Sequence, residues 1–341
     1  MEKIRLLLYL VQGKMNNASK KKQKIYSVAL IGAGRIAAGF DAPKSRSVLT
    51  HAHAVVSSHR LKLAGITDTD EARGMREARK WKTSFYGSHD EMLKQTKPDI
   101  VVIATPDQTH TNILLRVLRE CPRLVICEKP ISSNKADIPK IRDAVRKSKI
   151  PVIVNLNRRF DPTVRAVQSD IRRGRFGKII SASAHYTRGL LHNGVHAIDL
   201  ARFFFGDMTS ANMHFSVNDF PGGVPSVGGV ATFDRCAQFY LIAGDGRHFP
   251  IFEFEILLQR KRLRFVSEGL FLISQDVIPD PVFKGNRTLG KEVVRGTGLL
   301  RSMSLLMKNA LAVLDGKETP ISTLEEALRT ESTCFKLSEG L

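Results

Sequence analysis

The stretch Val28-Ala-Leu-Ile-Gly32-Ala-Gly34-Arg35-Ile36-Ala37 decides the fold. A short apolar run leads into G-x-G-x-x-A, and a helix-compatible stretch follows, the context that gives a glycine fingerprint its meaning. Gly32 allows the tight turn. Gly34, without a Cβ, lets a pyrophosphate approach the backbone, and Ala37 lets the helix pack closely on the strand. Arg35 and Ile36 open that helix, whose free N–H groups and partial positive charge face the phosphates.

Working outward, strands and helices alternate. Strands are expected at 61–67, 84–86, 99–104, 123–127 and 151–155, and helices at 71–80, 88–94, 109–119 and 136–148. The run Asp99-Ile-Val-Val-Ile-Ala104 is continuously apolar, as in a strand buried on both faces. This alternation implies a doubly wound parallel sheet. One segment interrupts it: Phe40 to His51 reads as an insertion at the cofactor edge, equally compatible with a lid and with a long surface loop. Beyond 156 the pattern changes. Helices at 162–173 and 192–205 flank a strand at 178–186, and strand-like runs follow near 210–218, 227–233, 236–243, 248–257, 260–266 and 269–274. Helices near 297–314 and 323–338 close the chain. The fold class is therefore α/β, a Rossmann sheet followed by an α+β domain with a large, open, mostly antiparallel sheet. The expected division is a basic extension over 1–24, a dinucleotide-binding domain over 25–156 and a substrate and oligomerisation domain over 157–341.

Composition bounds the function. The chain has 341 residues, 43% hydrophobic and 25% charged, ordinary for a globular protein with a sizeable core. No apolar run reaches the roughly 18 residues of a membrane span. The start resembles a signal peptide only faintly, Met15 offers an alternative start, and a cytoplasmic location is expected. Cys121, Cys127, Cys236 and Cys334 lack metal spacing and read as free, buried thiols, so no metal is expected. The net charge of +20 attracts anions. The basic residues are dispersed and no nucleic-acid motif appears, so the expected partner is a small, sugar-like substrate, with an acidic one open.

Several groups can carry chemistry. The acidic residue expected about 20 positions after the glycines arrives late, at Asp68, where a carboxylate accepts both ribose hydroxyls and repels a 2′-phosphate. This favours NAD and leaves NADP open; the competing reading makes Asp68 or Asp70 a helix cap. Thr105-Pro106 fixes an extended turn near the cofactor, and Asp107 can simply cap the next helix. His110 reads as structural on its own. Cys127-Glu128-Lys129-Pro130 ends the fifth strand, where burial and a neighbouring cation would lower the Lys129 pKa and suit it to proton transfer. The bland alternative is a charge pair with Glu128. In His192-Asn193-Gly-Val-His196-Ala-Ile-Asp199 the histidines lie one helical turn apart. Without a compact third ligand, acid/base and substrate-orienting roles fit better than zinc.

Together with Asn157-Arg-Arg-Phe-Asp161, these motifs resemble the Gfo/Idh/MocA family of NAD(P)-dependent oxidoreductases. The resemblance runs from about Val28 to the end. It implies hydride transfer between a sugar or cyclitol carbon and the nicotinamide, and an open sheet that forms a homodimer or homotetramer interface. By position it makes Lys129 the catalytic lysine and His196 the acid/base, with Asn193 and Asp199 on the substrate. Cofactor contacts follow at Thr105, Pro106, His110, Glu128, Lys129, Asn157 and Arg159. The chain departs from the pattern at His192, where many members have Asp. The His-Asn-Gly-x-His form is similar to members found with bacterial surface-polysaccharide genes, which implies a nucleotide-linked or acidic sugar. The departure at His192 also motivates an alternative, a cofactor-binding sensor or assembly subunit of the same fold.

Overall fold

The computed structural model describes residues 23–339, so nearly all of the basic extension lies outside the described residues. Six parallel strands form the first sheet: β1 (Tyr26–Ile31), β2 (Leu61–Thr67), β3 (Phe85–Tyr86), β4 (Ile100–Ile103), β5 (Leu124–Cys127) and β6 (Val152–Val154). Their order is β3-β2-β1-β4-β5-β6. Every residue of β4 and β5 is buried, which is why both read as unbroken apolar runs. The order reverses between β1 and β4, so their carboxyl ends open the crevice where such sheets bind ligands.

Helices α1 (His51–Val56), α2 (Glu71–Trp81), α3 (His89–Thr96), α4 (His110–Val117) and α5 (Ile138–Ser148) flank this sheet. Asp70 and Ser88 cap α2 and α3 through the amides of Arg73 and Glu91. The region after Gly34 differs from expectation. The chain makes one short π-type turn, Arg35–Gly39, then a loop, then α1. Helix α1 was not expected because His51 to Val55 is buried all round and shows no polar face. The insertion is tied at both ends by Asp41. Its carboxylate accepts from the Leu49 amide at 2.6 Å, the Thr50 hydroxyl at 2.6 Å and His53 Nδ1 at 2.8 Å.

The second sheet has nine strands: β7 (Ile179–Tyr186), β8 (Met208–Val217), β9 (Ser226–Phe233), β10 (Cys236–Ala243), β11 (Phe252–Leu258), β12 (Lys261–Val266), β13 (Phe271–Pro279), β14 (Arg287–Leu289) and β15 (Val293–Gly296). Neighbours pair antiparallel except β7 with β10. The sequence pattern missed β14 and β15, which are short and largely exposed, so no alternation marks them. Four more helices complete the fold: α6 (Pro162–Arg172), α7 (Val195–Phe205), α8 (Ser302–Leu314) and α9 (Leu324–Ser338).

Helix α7 covers the inner face of this sheet. Phe204 and Phe205 meet Phe254 at ring distances of 5.7 and 6.1 Å, and Phe205 meets Phe239 at 6.3 Å. Each such burial stabilises by roughly 1.5–3 kcal/mol. Helix α8 turns back to the first sheet, where Met303, Leu306, Met307 and Ala310 join the core around Tyr26, Val28 and Leu30. The thiols are not uniformly buried. Cys127, Cys236 and Cys334 are, whereas Cys121 is exposed, at a left-handed residue ending the 118–120 turn.

Candidate active site

The glycine turn fits a dinucleotide. Gly32 has φ +99°, and a Cβ there would lie 2.4 Å from the Ala104 carbonyl oxygen. At Gly34 a Cβ would meet nothing within 4 Å, so the backbone is open on that side to a pyrophosphate. The following turn starts at Arg35, and its first N–H groups have no helical partner. Arg35 itself is exposed and stacks on Phe40, 4.6 Å from its ring centre, while Ile36 packs against the core.

Asp68 lies at the end of β2 as expected, but its carboxylate is already engaged. It accepts from the Ala33 amide at 2.6 Å, the Asp70 amide at 2.8 Å and Arg73 Nη2 and Nε at 2.6 and 3.2 Å. Burial opposes its charge, yet the Arg73 guanidinium and the two amides hold Asp68 below the usual carboxylate range. Asp70, not Asp68, caps α2.

Two of the expected contacts turn out to be staples. His110 is fully buried, with Nδ1 at 2.6 Å from the Pro130 carbonyl and Nε2 at 2.8 Å from the Thr105 carbonyl. It therefore joins the Thr105-Pro106 turn to the cis Lys129–Pro130 turn, and neither ring nitrogen is left for a cofactor. Glu128 points inward, to His51 Nε2 at 2.8 Å and Asn155 Nδ2 at 2.6 Å.

Lys129 and the histidine cluster meet. Lys129 Nζ donates to the His192 carbonyl at 2.5 Å. The segment Gly189–Gly194 is a π-type turn running into α7, so His192 sits before the regular helix. Such turns recur at functional sites. Its ring stacks on Phe220 at 4.2 Å, and Nδ1 lies 3.4 Å from Asp107 Oδ2. Asp107 is thus no cap; it places a carboxylate beside the His192 ring. Burial works against that charge, but His192 and the Lys129 ammonium keep Asp107 below its ordinary value. His196 is 8% exposed and meets Phe252 edge-on at 6.3 Å. Burial, then the charges of Arg158 and Lys129, push its pKa well below the ordinary 6.5. Burial also lowers Lys129, against the pull of Asp107 and Glu128.

Asp199 and Arg159 are not where sequence reasoning put them. Arg159 Nε lies 2.9 and 3.0 Å from the two Asp199 oxygens, and the Thr330 hydroxyl adds a contact at 3.3 Å. Both residues are buried, at 4% and 1% exposure, so this pair anchors α7 rather than reaching a ligand. Asn193 is half-buried with its amide 3.4 Å from the Ile251 carbonyl, and Asn157 lies 3.4 Å from Arg158 Nη1. Sequence reasoning missed Asp107, His51 and Arg158 as parts of this region. The Asn-Arg-Arg-Phe motif was the available signal for Arg158.

A parallel sheet with this strand order and a glycine turn open to phosphates define a Rossmann fold suited to a dinucleotide, here with an open sheet appended. Residues 26–156 match the Gfo/Idh/MocA family, described as an oxidoreductase family with an NAD-binding Rossmann fold. The match is confined to the part of the chain that forms the first sheet and its helices. It is 27% identical over 167 residues to inositol 2-dehydrogenase 2 of Saccharopolyspora erythraea, covering 45% of this chain and 49% of that protein. It is 28% identical over 199 residues to an inositol 2-dehydrogenase of Rhizobium meliloti, covering 52% and 54%. The matched segments thus span about half the length of these relatives. The WlbA dehydrogenase of Chromobacterium violaceum, solved with NADH and UDP-GlcNAcA, superposes with a TM-score of 0.74 at 17% identity, covering 94% of each chain. Among the described residues, no helix is long and apolar enough to cross a membrane.

Proposed function

We propose that this protein is a cytoplasmic NAD(P)-dependent dehydrogenase or reductase acting on a hydroxyl-bearing carbon of a sugar, cyclitol or nucleotide-sugar, with a role in surface-polysaccharide biosynthesis. The observation that carries the reading is the Lys129 Nζ bond to the His192 carbonyl, which joins the strand-end lysine to the histidine turn of the second half. Residues 25–156 hold the dinucleotide at Gly32, Gly34, Arg35 and Ile36, with Asp68 beside the adenosine ribose and Thr105-Pro106 beside the nicotinamide. Residues 157–341 carry the substrate. The nicotinamide supplies hydride acceptance or donation at C4.

Lys129, as an ammonium, hydrogen-bonds the reacting hydroxyl and stabilises the alkoxide character that develops on it. His196, neutral at physiological pH, takes the hydroxyl proton in oxidation and returns it in reduction. Asp107 steadies both His192 and the charge on Lys129. A cofactor-binding sensor without turnover was suggested by His192; the Asp107 carboxylate beside it restores the missing negative charge and favours the enzyme.

The test is Lys129→Met against a panel of sugars, cyclitols and nucleotide-sugars, with NADH formation followed by absorbance. Turnover should fall about a hundredfold or more, the scale of one proton-handling group. NADH affinity should stay within a few-fold of the parent. Undiminished turnover in that variant would remove Lys129 from the chemistry. Bound NADH with no turnover across the whole panel would favour the sensor.

A further inference from the structure

Three arginines are buried close together in sequence or space, and their surroundings differ. Arg159, 4% exposed, has Asp199 at 2.7 Å and Glu326 at 3.3 Å. Arg202, 7% exposed, has Asp207 at 2.9 Å, Glu326 at 3.2 Å and the Thr330 hydroxyl at 2.9 Å. This is how a structural arginine is held: burial of a guanidinium is tolerated when carboxylates meet it. Arg158 is equally buried, at 7%, and no carboxylate oxygen of the described residues comes within 4.0 Å of it. Its contacts are the Glu268 carbonyl at 3.1 Å from Nη2 and the Asn157 side chain at 3.4 Å from Nη1. Nε is buried without any acceptor. A buried donor left unmade is costly, and more so on a cation.

The position of Arg158 is as specific as its lack of a carboxylate partner. It lies in the short turn Asn157–Phe160 just past β6, at the same sheet edge as Lys129 at the end of β5. Its guanidinium carbon lies over Phe252, 3.7 Å from the ring centre, and His196 meets the edge of that same ring at 6.3 Å. The ring thus fixes the guanidinium beside the acid/base histidine. From the other side, the β12–β13 turn holds it. Ser267, Glu268 and Gly269 all have positive φ, at +54°, +60° and +89°, and this bend brings the Glu268 carbonyl onto Nη2. Positive φ at the central residues is the usual geometry of a tight hairpin turn, closed here by the Gly269 and Leu270 amides on the Val266 and Ser267 carbonyls. Burial pushes Arg158 down to about 10, so it remains cationic at neutral pH.

We propose that Arg158 binds an anionic group, a carboxylate or a phosphate ester, carried by the sugar unit of the substrate next to the carbon that reacts at His196. The proposal rests on the function proposed above and narrows its substrate class to acidic or phosphorylated sugars. The guanidinium fork suits either group. The incoming anion supplies the partner that Asp199 supplies to Arg159. It also offsets the convergence of Lys129, Arg158 and His196, where Asp107 acts on Lys129, and Glu268, Asp199 and Asp161 act on Arg158 without an ion-pair contact to it.

The experiment is a titration of the full-length protein saturated with NADH, followed by fluorescence. Glucose, glucuronate and glucose 6-phosphate are compared, then the matching galactose series. One anionic form should bind about tenfold or more tighter than its neutral counterpart, the scale of a charged hydrogen bond. Whether the uronate or the phosphate wins identifies the source of the anion. Arg158→Gln should abolish the preference. Arg158→Lys should keep part of it, since the charge stays and the fork is lost. Circular dichroism checks the fold, and if the Gln variant does not fold, the Lys variant carries the comparison through a severalfold loss of preference. Equal binding of neutral and anionic sugars, binding of neither anion, or a preference that survives both substitutions overturns the proposal. Failure of the parent protein to bind NADH would instead overturn the function on which it rests.

Discussion

Two side chains decide most of what is distinctive at the residue scale, Arg73 and His196. Asp68 stands where an acid accepts ribose hydroxyls, but Arg73 binds it through Nη2 at 2.6 Å and Nε at 3.2 Å. The carboxylate is thereby partly neutralised, and its ability to reject a 2′-phosphate is weakened. Removing the arginine frees one edge of the carboxylate for the ribose. Arg73→Ala should therefore raise the preference for NADH over NADPH by about tenfold, discounted for an arginine that is more than a third exposed. Dissociation constants for both cofactors, measured by fluorescence, check this, and an unchanged ratio would reduce Arg73 to a surface tie. His196 concerns pH. Its pKa is lowered by burial, so the cation forms only in more acidic solution than the usual 6.5. Lys129 is lowered from 10.5 by its own burial. The pH profile of kcat/KM for oxidation should thus be a bell with its acidic limb below 6.5 and its basic limb below 10.5. Arg158→Gln removes one of the charges acting on His196 and should move the acidic limb upward. An acidic limb at or above 6.5 in the parent protein would contradict the assignment.

The elements explain how these side chains are held, and one helix contributes from far away in the chain. Glu331, on α9, accepts from the Ile131 amide at 2.6 Å and the Ser132 amide at 3.2 Å, fixing the turn just past Lys129. The residue is 1% exposed. Burial, outweighing both amide bonds, pushes its pKa from 4.5 up to about 8. The folded state therefore favours the protonated acid. Its contribution to stability is fully present below pH 4.5 and is lost as pH rises through about 8. The loss is on the order of a few kcal/mol. Thermal midpoints of the parent should fall across that window, and Glu331→Gln should flatten the slope. A parent midpoint that is level over the window would refute the idea. Such couplings mark the limit of sequence reading. The glycine turn, β4, β5 and the place of Lys129 just past β5 were legible because periodicity and short motifs encode them locally. Asp107 was not, because its partner His192 lies 85 residues on. Arg158 and Arg159 are neighbours with opposite surroundings, and only the tertiary fold separates them.

For the whole molecule, the open second sheet and the charge act against each other. Tyr240, Ile242 and Phe271 are 41%, 43% and 44% exposed. The strand pairing puts them on one face with Ser183 and His185, opposite the face that α7 covers. The homo-oligomer expected from the sequence would use this face, with a second copy of the chain covering it. A stable pairing needs roughly 1,200–2,000 Å² of total buried surface, which a nine-stranded sheet can supply. Each copy also carries a net charge of +20, and like charges repel at a distance that salt shortens. Light scattering should therefore give a multiple of the monomer mass, and the dimer should tighten as salt is added. Anionic sugars should respond in the opposite direction, binding more weakly at high salt because the same field attracts them. Tyr240→Glu combined with Ile242→Glu places a pair of carboxylates in the interface of each copy. The double variant should shift to monomer while still binding NADH, since both positions lie on the sheet face and away from the glycine turn. A parent protein that stays monomeric at high salt and high concentration would show that the face is left to solvent or to a different partner.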